Sequence, residues 1–570
     1  MKKLLFMILV LIGLAVLIAV STVYFGGHRP PQLAQDVVLR LRLAESLVDY
    51  APAPRIPFLT QRGATSLIDV YQGLRAARRD ERVLGLVVDI QHASFSLAQA
   101  EELRRQILAV AAAGKHVECY LETAGEGSNG TLAYYVATAC QTISLAPAGE
   151  LNIVGLFLDS TFLRGALDKL KIEPEFEHVG AYKSAAESYT EYQHSSSARE
   201  ALSSLLDDLY GRLVADIAVD RELSDSRIRQ LIDGAPYAAQ QALELELVDR
   251  LAYRDQFEQS LNDSLGEDWQ WLELEEYAAQ HRLGGQSKVA IAFAQGTIVR
   301  GRGGIDPWTS DRYVGADGFG QVVEELIDDD SIAAVVLRVD SPGGSALASD
   351  LILRQVERLA EVKPVVVSMS GLAASGGYYI SSKAQFIVAE STTLTGSIGV
   401  IAGRLVTGRF QRELLGLSHD TLKRGANADY FSSVEPFNPT QHERFREMMT
   451  GVYDTFIDHV ATGRGMDREA VDAVAQGRVW SGQSALEHGL VDQLGGFDTA
   501  LAAVADSLAI DVEDLELVLY PRPPTLWDYL SGEAASGLLM AWLESRFALN
   551  FDLPLELETA RQLAAASRPF

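Results

Sequence analysis

The chain has 570 residues, 48% apolar and 22% charged, which excludes a largely disordered protein and leaves room for about three or four domain-sized units. Acidic residues outnumber basic ones by 77 to 49, giving a net charge of −28. Such a surface repels nucleic acid and anionic lipid headgroups, so we expect no nucleic-acid partner.

The first predicted element is an apolar segment near the N-terminus. Residues 4–25 carry no charge and follow Lys2 and Lys3. As a helix they would extend roughly 33 Å, enough to cross a bilayer. A cleavable signal peptide would have a shorter apolar core, and its only candidate cleavage motif, residues 19–21, is weak, so a retained membrane anchor is favoured. The two lysines favour a cytoplasmic N-terminus, with the body on the periplasmic side of the inner membrane.

The body of the chain contains an internal repeat. Residues 240–251 match residues 483–494 at eight of twelve positions, at an offset of 243. In each copy short apolar strands alternate with helical stretches, which predicts two tandem α/β domains with mostly parallel strands. The further segments that align at similar offsets are 86–95 with 334–343, 131–136 with 375–380, and 149–155 with 393–399. The expected divisions are a membrane anchor (1–28), a first repeat (29–282), a second repeat (283–520) and a helical tail (521–570).

Three further stretches have helical character. Residues 186–230 and 433–475 have 3.6-residue periodicity and predict long helices that project from the core of each repeat. In the tail, the apolar run 536–543 is too short to span a bilayer, and we expect it to dock on the body or touch the membrane surface.

The cysteines and histidines do not indicate a metal site. Cys119 and Cys140 both lie inside apolar segments, where a disulfide and two buried thiols remain open alternatives. The ten histidines form no His-x-x-x-His pair, and the two Glu-x-x-His pairs each lack a third ligand nearby. We expect no metal and no cofactor.

The first candidate for a catalytic residue lies in the second repeat. Residues 364–369 predict a strand, and the turn and helix start that follow read Gly371-Leu-Ala-Ala-Ser375-Gly-Gly-Tyr-Tyr-Ile380. A serine at a helix entrance suits a nucleophile, because the helix dipole and free N–H groups favour a developing oxyanion. Serine is also a common N-cap, so this segment alone leaves both interpretations open.

A second turn of this kind lies one strand earlier. Residues 332–339 predict a buried strand, and Asp340-Ser-Pro-Gly-Gly344 follows it. A glycine turn at a strand tip can offer the free N–H groups of an oxyanion hole, although by itself it is an ordinary turn signal. The first repeat has Phe95 and Ser96 in place of the two glycines, so we do not expect it to form such a hole.

A serine nucleophile needs a base, and no His–Asp pair lies clearly at a loop tip. A lysine can serve if burial and hydrogen bonds keep it neutral. Lys183 lies in the uncharged run Gly180-Ala-Tyr-Lys183-Ser-Ala-Ala, and it aligns with Ala428 of the second repeat. An exposed lysine is the ordinary alternative. The second repeat has the serine but not the lysine, and the first repeat has the lysine but not the serine. This complementary loss favours a Ser–Lys pair assembled from both halves.

Five motifs carry a family resemblance: Asp340-Ser-Pro-Gly-Gly344, Ala374-Ser-Gly-Gly-Tyr378, Thr395-Gly-Ser-Ile-Gly-Val400, Gly180-Ala-Tyr-Lys-Ser184 and Gly477-Arg-Val-Trp-Ser-Gly-Gln483. Together they resemble the signal peptide peptidase A family, also called protease IV, in its long duplicated form. The resemblance covers nearly all of the chain except the tail. It implies a Clp-protease/crotonase-like fold in each repeat and a membrane-anchored homotetramer.

The same resemblance implies roles for five residues. Ser375 would be the nucleophile, Lys183 the general base, and Ser397 a partner that orients the lysine. The backbone N–H groups of Gly344 and Gly376 would form the oxyanion hole. The implied substrates are extended, mainly apolar peptides such as cleaved signal peptides, and the implied chemistry requires no cofactor.

Two other classes of protein remain open from the sequence. A crotonase-type acyl-CoA enzyme would share the fold and the oxyanion hole, but it would not need Ser375 and would be expected in the cytoplasm. A non-catalytic scaffold would bind membrane peptides without cutting them. The presence of Ser375, Lys183 and Ser397 counts against the scaffold.

Overall fold

The computed structural model describes residues 36–50, 65–91, 94–281, 284–306 and 311–522. The predicted anchor at residues 4–25 and the tail run 536–543 lie outside the described residues. Within the ranges given, no helix is both long enough and apolar enough to cross a membrane.

Strands and helices alternate in the first half. The strands are β1 (Val37–Leu43), β2 (Leu47–Val48), β3 (Thr65–Ser66), β4 (Val83–Ile90), β5 (His116–Leu121), β6 (Thr142–Leu145), β7 (Glu150–Leu151), β8 (Glu173–Val179), β9 (Tyr237–Ala238), β10 (Arg250–Leu251) and β11 (Gln270–Glu273). The helices are α1 (Leu67–Ala77), α2 (Leu97–Ala112), α3 (Thr131–Ala137), α4 (Arg164–Leu170), α5 (Glu187–Thr190), α6 (Ser196–Asp220), α7 (Asp225–Gly234), α8 (Ala239–Glu244), α9 (Arg254–Leu265) and α10 (Leu274–Gln280).

The second half repeats this pattern. Its strands are β12 (Ser287–Gln295), β13 (Thr297–Val299), β14 (Gly303–Ile305), β15 (Arg312–Gly315), β16 (Ile332–Ser341), β17 (Val365–Ala374), β18 (Phe386–Ala389), β19 (Leu394–Gly396), β20 (Val400–Val406), β21 (Val479–Ser481), β22 (Gln493–Leu494) and β23 (Leu515–Tyr520). Its helices are α11 (Ala316–Asp328), α12 (Ala346–Ala360), α13 (Gly376–Ser381), α14 (Pro439–Arg464), α15 (Arg468–Val474), α16 (Gly482–Glu487) and α17 (Phe497–Leu508). A π-helical turn (Phe410–Leu414) and a 3-10 turn (Val512–Asp514) complete it.

The two main sheets have the same strand order. The first is a six-stranded parallel sheet, β10-β6-β5-β4-β1-β11. In the eight-stranded second sheet, β22-β18-β17-β16-β12-β23 are joined by parallel pairs in the corresponding order. The prediction of a mixed α/β chain with two copies of one domain is therefore confirmed.

Individual hydrogen bonds repeat as well. The Tyr134 hydroxyl donates to the Leu247 carbonyl oxygen at 2.8 Å, and the Tyr378 hydroxyl donates to the Leu490 carbonyl oxygen at 2.9 Å. These two bonds occupy the same place in each half and tie α3 and α13 to the loops before β10 and β22. Because both tyrosines are buried, each hydroxyl needs such a partner.

The apolar strand runs are explained by burial of both sheet faces. Along β16, Val335, Leu337 and Val339 pack into one core, whereas Ala334 and Val336 pack into the other. Successive strand residues point to opposite faces, so a strand covered on both sides has no polar alternation. The second of these cores includes residues of α1 from the first half, which means that the halves share buried surface.

The predicted stretch 186–230 contains the short helix α5, the long helix α6 and the start of α7, and the stretch 433–475 contains the long helix α14 and the shorter α15. In the second half α14 is capped by Asn438 at its start, and after its last residue, Arg464, Gly465 ends it with φ +62°. The prediction that these helices project from the core is only partly right. Phe456, Ile457 and Val460, near the end of α14, belong to the core of the second half.

A buried charge cluster also joins the halves. The Arg338 side chain on β16 is 2% exposed and donates to Asp49 Oδ1 at 3.0 Å and to Glu102 Oε2 at 2.6 Å. Both acids come from the first half, and such a pairing is required to bury an arginine. Cys119 and Cys140 are both buried free thiols.

Candidate active site

Ser375 occupies a strained turn between β17 and α13. Its backbone has φ +53° and ψ −115°, a conformation that residues other than glycine rarely adopt. The Ser375 N–H donates to the Gly396 carbonyl oxygen at 2.9 Å, which holds the turn against the neighbouring strand. No N–H group of the described helix donates to the Ser375 hydroxyl, so the side chain is not acting as an N-cap. A strained strand-to-helix turn is also how other hydrolases expose a nucleophilic serine.

The two glycines after Ser375 allow the turn before α13 to contact the turn after β16. A Cβ atom on Gly376 would lie 2.5 Å from Ser349 Oγ and 3.0 Å from the Gly343 Cα. A Cβ atom on Gly377 would lie 2.5 Å from the Ser341 carbonyl oxygen. The helix start therefore packs directly on the turn that follows β16, which only glycine permits.

Two backbone N–H groups are available where these turns meet. The Ile298 N–H on β13 donates to the Gly343 carbonyl oxygen, and the Ile298 carbonyl oxygen accepts from the Ser345 N–H. Gly344 lies between Gly343 and Ser345, and its N–H has no acceptor among the described residues. Gly376 is the first residue of α13, where an N–H has no partner inside the helix. The Gly344 nitrogen would be 3.3 Å from a Cβ on Gly376. This arrangement can bind an oxyanion.

A two-stranded ribbon brings the first half to this site. Strand β8 pairs antiparallel with β20, in a register that places Val179 opposite Val400 and Glu173 opposite Val406. Lys183 follows β8 by four residues, and Ser397 precedes β20 by three. The ribbon therefore carries the Lys183 loop to the second half.

Lys183 is buried among uncharged oxygen atoms. The side chain is 6% exposed. Its Nζ atom lies 3.1 Å from Ser375 Oγ, 2.9 Å from Ser397 Oγ and 2.8 Å from the Ser397 carbonyl oxygen. Burial lowers the pKa of Lys183 to about 8, because the charged form loses its water and gains no carboxylate partner among the described residues.

The structure thus brings together the five residues that the sequence singled out. Ser397 has φ +51°, which turns both its carbonyl and its hydroxyl towards Lys183. Ala428, the position that aligns with Lys183, lies in an exposed loop of the second half.

Sequence reasoning missed the segment Gln476–Arg478, which lies between the Lys183 loop and Ser397. Tyr182 N–H donates to the Gln476 carbonyl oxygen, and Ser397 N–H donates to the Arg478 carbonyl oxygen, each at 2.7 Å. The signal available in the sequence was Gly477, which opens one of the five motifs. A Cβ there would lie 2.5 Å from the Lys183 Cβ.

In the first half, the position equivalent to Ser375 holds a hydroxyl that is already hydrogen-bonded. Thr131, which aligns with Ser375, donates from Oγ1 to the Gly155 carbonyl oxygen at 3.2 Å and accepts from the Gly155 N–H at 3.0 Å. Ile153, which aligns with Ser397, is buried. A threonine hydroxyl held in this way, which contacts Gly155 and no lysine of the described ranges, is not free to react.

A strained serine, an adjacent buried lysine with a lowered pKa and two free N–H groups form the kind of arrangement found in serine hydrolases. The model of Peptidase family S49 matches residues 113–266 and 357–511, once in each half, and the chain belongs to this family. It is therefore a serine peptidase, and the acyl-CoA enzyme and the scaffold are set aside.

Named relatives agree with this assignment. The chain is 32% identical to Serine protease SPPA, chloroplastic, of Arabidopsis thaliana, over 83% of this chain and 70% of that protein. It is 30% identical to Protease 4 of Salmonella typhi, over 99% of this chain and 92% of that protein. Protease 4 of Haemophilus influenzae is 29% identical, over 85% of this chain and 81% of its own length. The predicted resemblance to signal peptide peptidase A, or protease IV, is confirmed.

Proposed function

We propose that the chain is a membrane-anchored endopeptidase that cleaves hydrophobic peptides with a Ser375–Lys183 dyad. The observation that carries the proposal is the 3.1 Å separation between Lys183 Nζ and Ser375 Oγ across the two halves. A neutral amine has two N–H groups and one lone pair. If the N–H groups donate to the two Ser397 oxygens, the lone pair is left to accept the Ser375 proton.

The mechanism is acyl transfer in two steps. Lys183 takes the proton of Ser375 as the hydroxyl oxygen attacks a peptide carbonyl, and the Gly344 and Gly376 N–H groups hold the oxyanion. The ammonium of Lys183 then protonates the leaving amine. Water hydrolyses the acyl-enzyme in the same way, with Lys183 again as base and Ser375 as the leaving group. Ser397 keeps the amine aligned throughout.

Exposed apolar side chains on α12, the helix that begins just after the Gly344 turn, support apolar peptides as substrates. Leu347 and Leu351, on the helix that follows Gly344, are 55% and 44% exposed. The chain carries a net charge of −28, which repels acidic peptides. Cleaved signal peptides are substrates of this character, and the apolar residues 4–25 would hold the enzyme at the membrane where such peptides lie.

Assembly and topology form part of the same proposal. Leu422 and Phe431 are 90% and 93% exposed in the second half, which supports association into a homo-oligomer, a tetramer by family resemblance. The parallel sheets with strand-to-helix turns support a Clp-protease/crotonase-like fold in each repeat. The anchor would place the catalytic body outside the cytoplasm.

Two fluorogenic peptides of equal length test the substrate class. One has only apolar residues and the other has three of them replaced by glutamate. We expect wild type to cleave the apolar peptide with a kcat/KM at least about tenfold higher, and Ser375→Ala to cleave neither. Equal cleavage of the two peptides by wild type would contradict the substrate class. Full cleavage by Ser375→Ala would contradict the proposed function itself.

The dyad also predicts a pH dependence. Lys183 must be neutral to act as a base, and burial lowers its pKa to about 8. Activity should therefore be lost as the pH falls through that value, with kcat/KM dropping about tenfold per pH unit well below it. The measurement is kcat/KM on an uncharged peptide between pH 5.5 and 9.5. A rate that is flat from pH 6 to 9 would contradict a lysine base.

A further inference from the structure

Gln476 of the second half makes two hydrogen bonds to the loop that presents Lys183. Tyr182 N–H donates to the Gln476 carbonyl oxygen at 2.7 Å, and Ala181 N–H donates to the Gln476 side-chain oxygen at 3.2 Å. The backbone N–H groups of the two residues immediately before Lys183 therefore both donate to Gln476. The main chain at Gln476 has φ +52°, which lets its carbonyl and side chain face the same loop.

The other end of the Gln476 side chain is fixed within the second half. Its Nε2 donates to Asp472 Oδ1 at 2.7 Å and lies 3.2 Å from the Tyr453 hydroxyl. The Tyr453 hydroxyl donates to Asp472 Oδ1 at 2.6 Å, so the three groups form a closed network. Since Tyr453 belongs to the core of the second half, the network connects the Lys183 loop to rigid structure.

The chain beyond Gln476 fixes the other partner of the lysine. Gly477 N–H donates to the Ile398 carbonyl oxygen and Ser397 N–H donates to the Arg478 carbonyl oxygen, each at 2.7 Å. The same short segment thus sets the positions of the Lys183 loop and of Ser397. Two of the hydrogen bonds made by Lys183 Nζ go to Ser397.

We propose that Gln476 is a positioning residue for the Lys183 base, acting through its side-chain bridge between the Ala181 N–H and Asp472. This inference rests on the proposed function. The titratable and charged groups around the bridge and the Lys183 loop include Asp472 and Tyr453 in the network, His178, whose Nδ1 lies 3.0 Å from the Gly180 carbonyl oxygen, and Arg478 with Glu200, which pair at 2.8 Å. Lys183 itself is desolvated and pairs with no charged group in the part of the chain that the structure describes, so water admitted by a loosened loop would stabilise its ammonium form.

The test is the pH profile of kcat/KM for Gln476→Ala on an apolar fluorogenic peptide. We expect kcat to fall about 10- to 100-fold at pH 7.5 with KM unchanged, because a small displacement of a catalytic group is costly. We expect the midpoint of the profile to move upward by about half a pH unit or more. The matched control is Asp233→Ala, since Asp233 is exposed and occupies the corresponding place in the first half. It should keep the wild-type profile.

A rescue separates positioning from folding. In Gln476→Glu the new carboxylate faces Asp472 without a donor, whereas adding Asp472→Asn restores a donor and an acceptor. The double variant should recover most of the rate and the wild-type midpoint. Wild-type kinetics in Gln476→Ala, or a loss of rate with an unmoved midpoint and no rescue, would overturn the inference.

Ser375→Ala tests the proposed function separately. If it is inactive while Gln476→Ala behaves as wild type, only the inference fails, and if it remains fully active, both fail.

Discussion

Ser375→Ala is expected to lower kcat/KM by at least about 10⁴-fold, since only the oxyanion-binding N–H groups and substrate binding would remain. The Oγ atom is small and points at Lys183, so its removal should leave the melting temperature close to that of wild type. The measurement is single-turnover cleavage of an apolar fluorogenic peptide, with thermal denaturation of the same samples.

The chain provides its own control for this variant. Thr131 aligns with Ser375 in the first half, where its hydroxyl is hydrogen-bonded to Gly155. Thr131→Ala removes a hydroxyl from the equivalent turn and is expected to keep kcat within about threefold of wild type, although it loses some stability. Equal losses of kcat in the two variants would mean that the second half has no special role.

Lys183→Met is expected to lower kcat by about 10²- to 10⁴-fold, the usual contribution of a general base. Methionine has a similar length, and it fits the 6% exposed position of Lys183 without burying a new charge. The fall should appear in kcat with KM nearly unchanged, because the hydrogen bonds of the Lys183 amine are made to Ser375 and Ser397, which take part in the chemical step.

Lys169→Met serves as the matched control for Lys183→Met. Lys169 is exposed on α4 of the same half, so the substitution changes the net charge equally. Its kcat and pH profile are expected to be those of wild type. If Lys183→Met retained the wild-type rate and its pH dependence, another group would have to be the base.

Much of the fold follows from local sequence patterns. The apolar runs of β16 and β17 and the turns that follow them depend on neighbouring residues, so Ser375 and the Gly343–Gly344 turn were found directly. The repeat was visible because both halves keep the same buried contacts, such as the tyrosine hydrogen bonds before β10 and β22.

Contacts between distant parts of the chain were not predictable in this way. The β8–β20 ribbon joins segments that are more than two hundred residues apart, and nothing in either strand specifies its partner. Likewise the apolar pattern of β16 gave no sign that Arg338 pairs with Asp49 and Glu102. The comparison of the two repeats was able to suggest Lys183 only because each half had lost what the other kept.

The fit of Lys183 to its site depends on positions that a sequence pattern does not encode. The positive φ angles of Ser375 and Ser397 turn their oxygen atoms towards the amine, and serine is not a residue type that signals such a conformation. Gln476 also has a positive φ angle that its residue type does not signal, so its connection to the Lys183 loop is apparent only in three dimensions.

The central claim is that a neutral Lys183 activates Ser375, and the most direct test is the rate of covalent labelling by a fluorophosphonate as a function of pH. The account predicts that the label is found on Ser375, that the labelling rate rises with a midpoint near the Lys183 pKa of about 8, and that above this midpoint Lys183→Met reacts far more slowly than wild type and without that rise. Labelling of Ser375 at the same rate in wild type and Lys183→Met would contradict it.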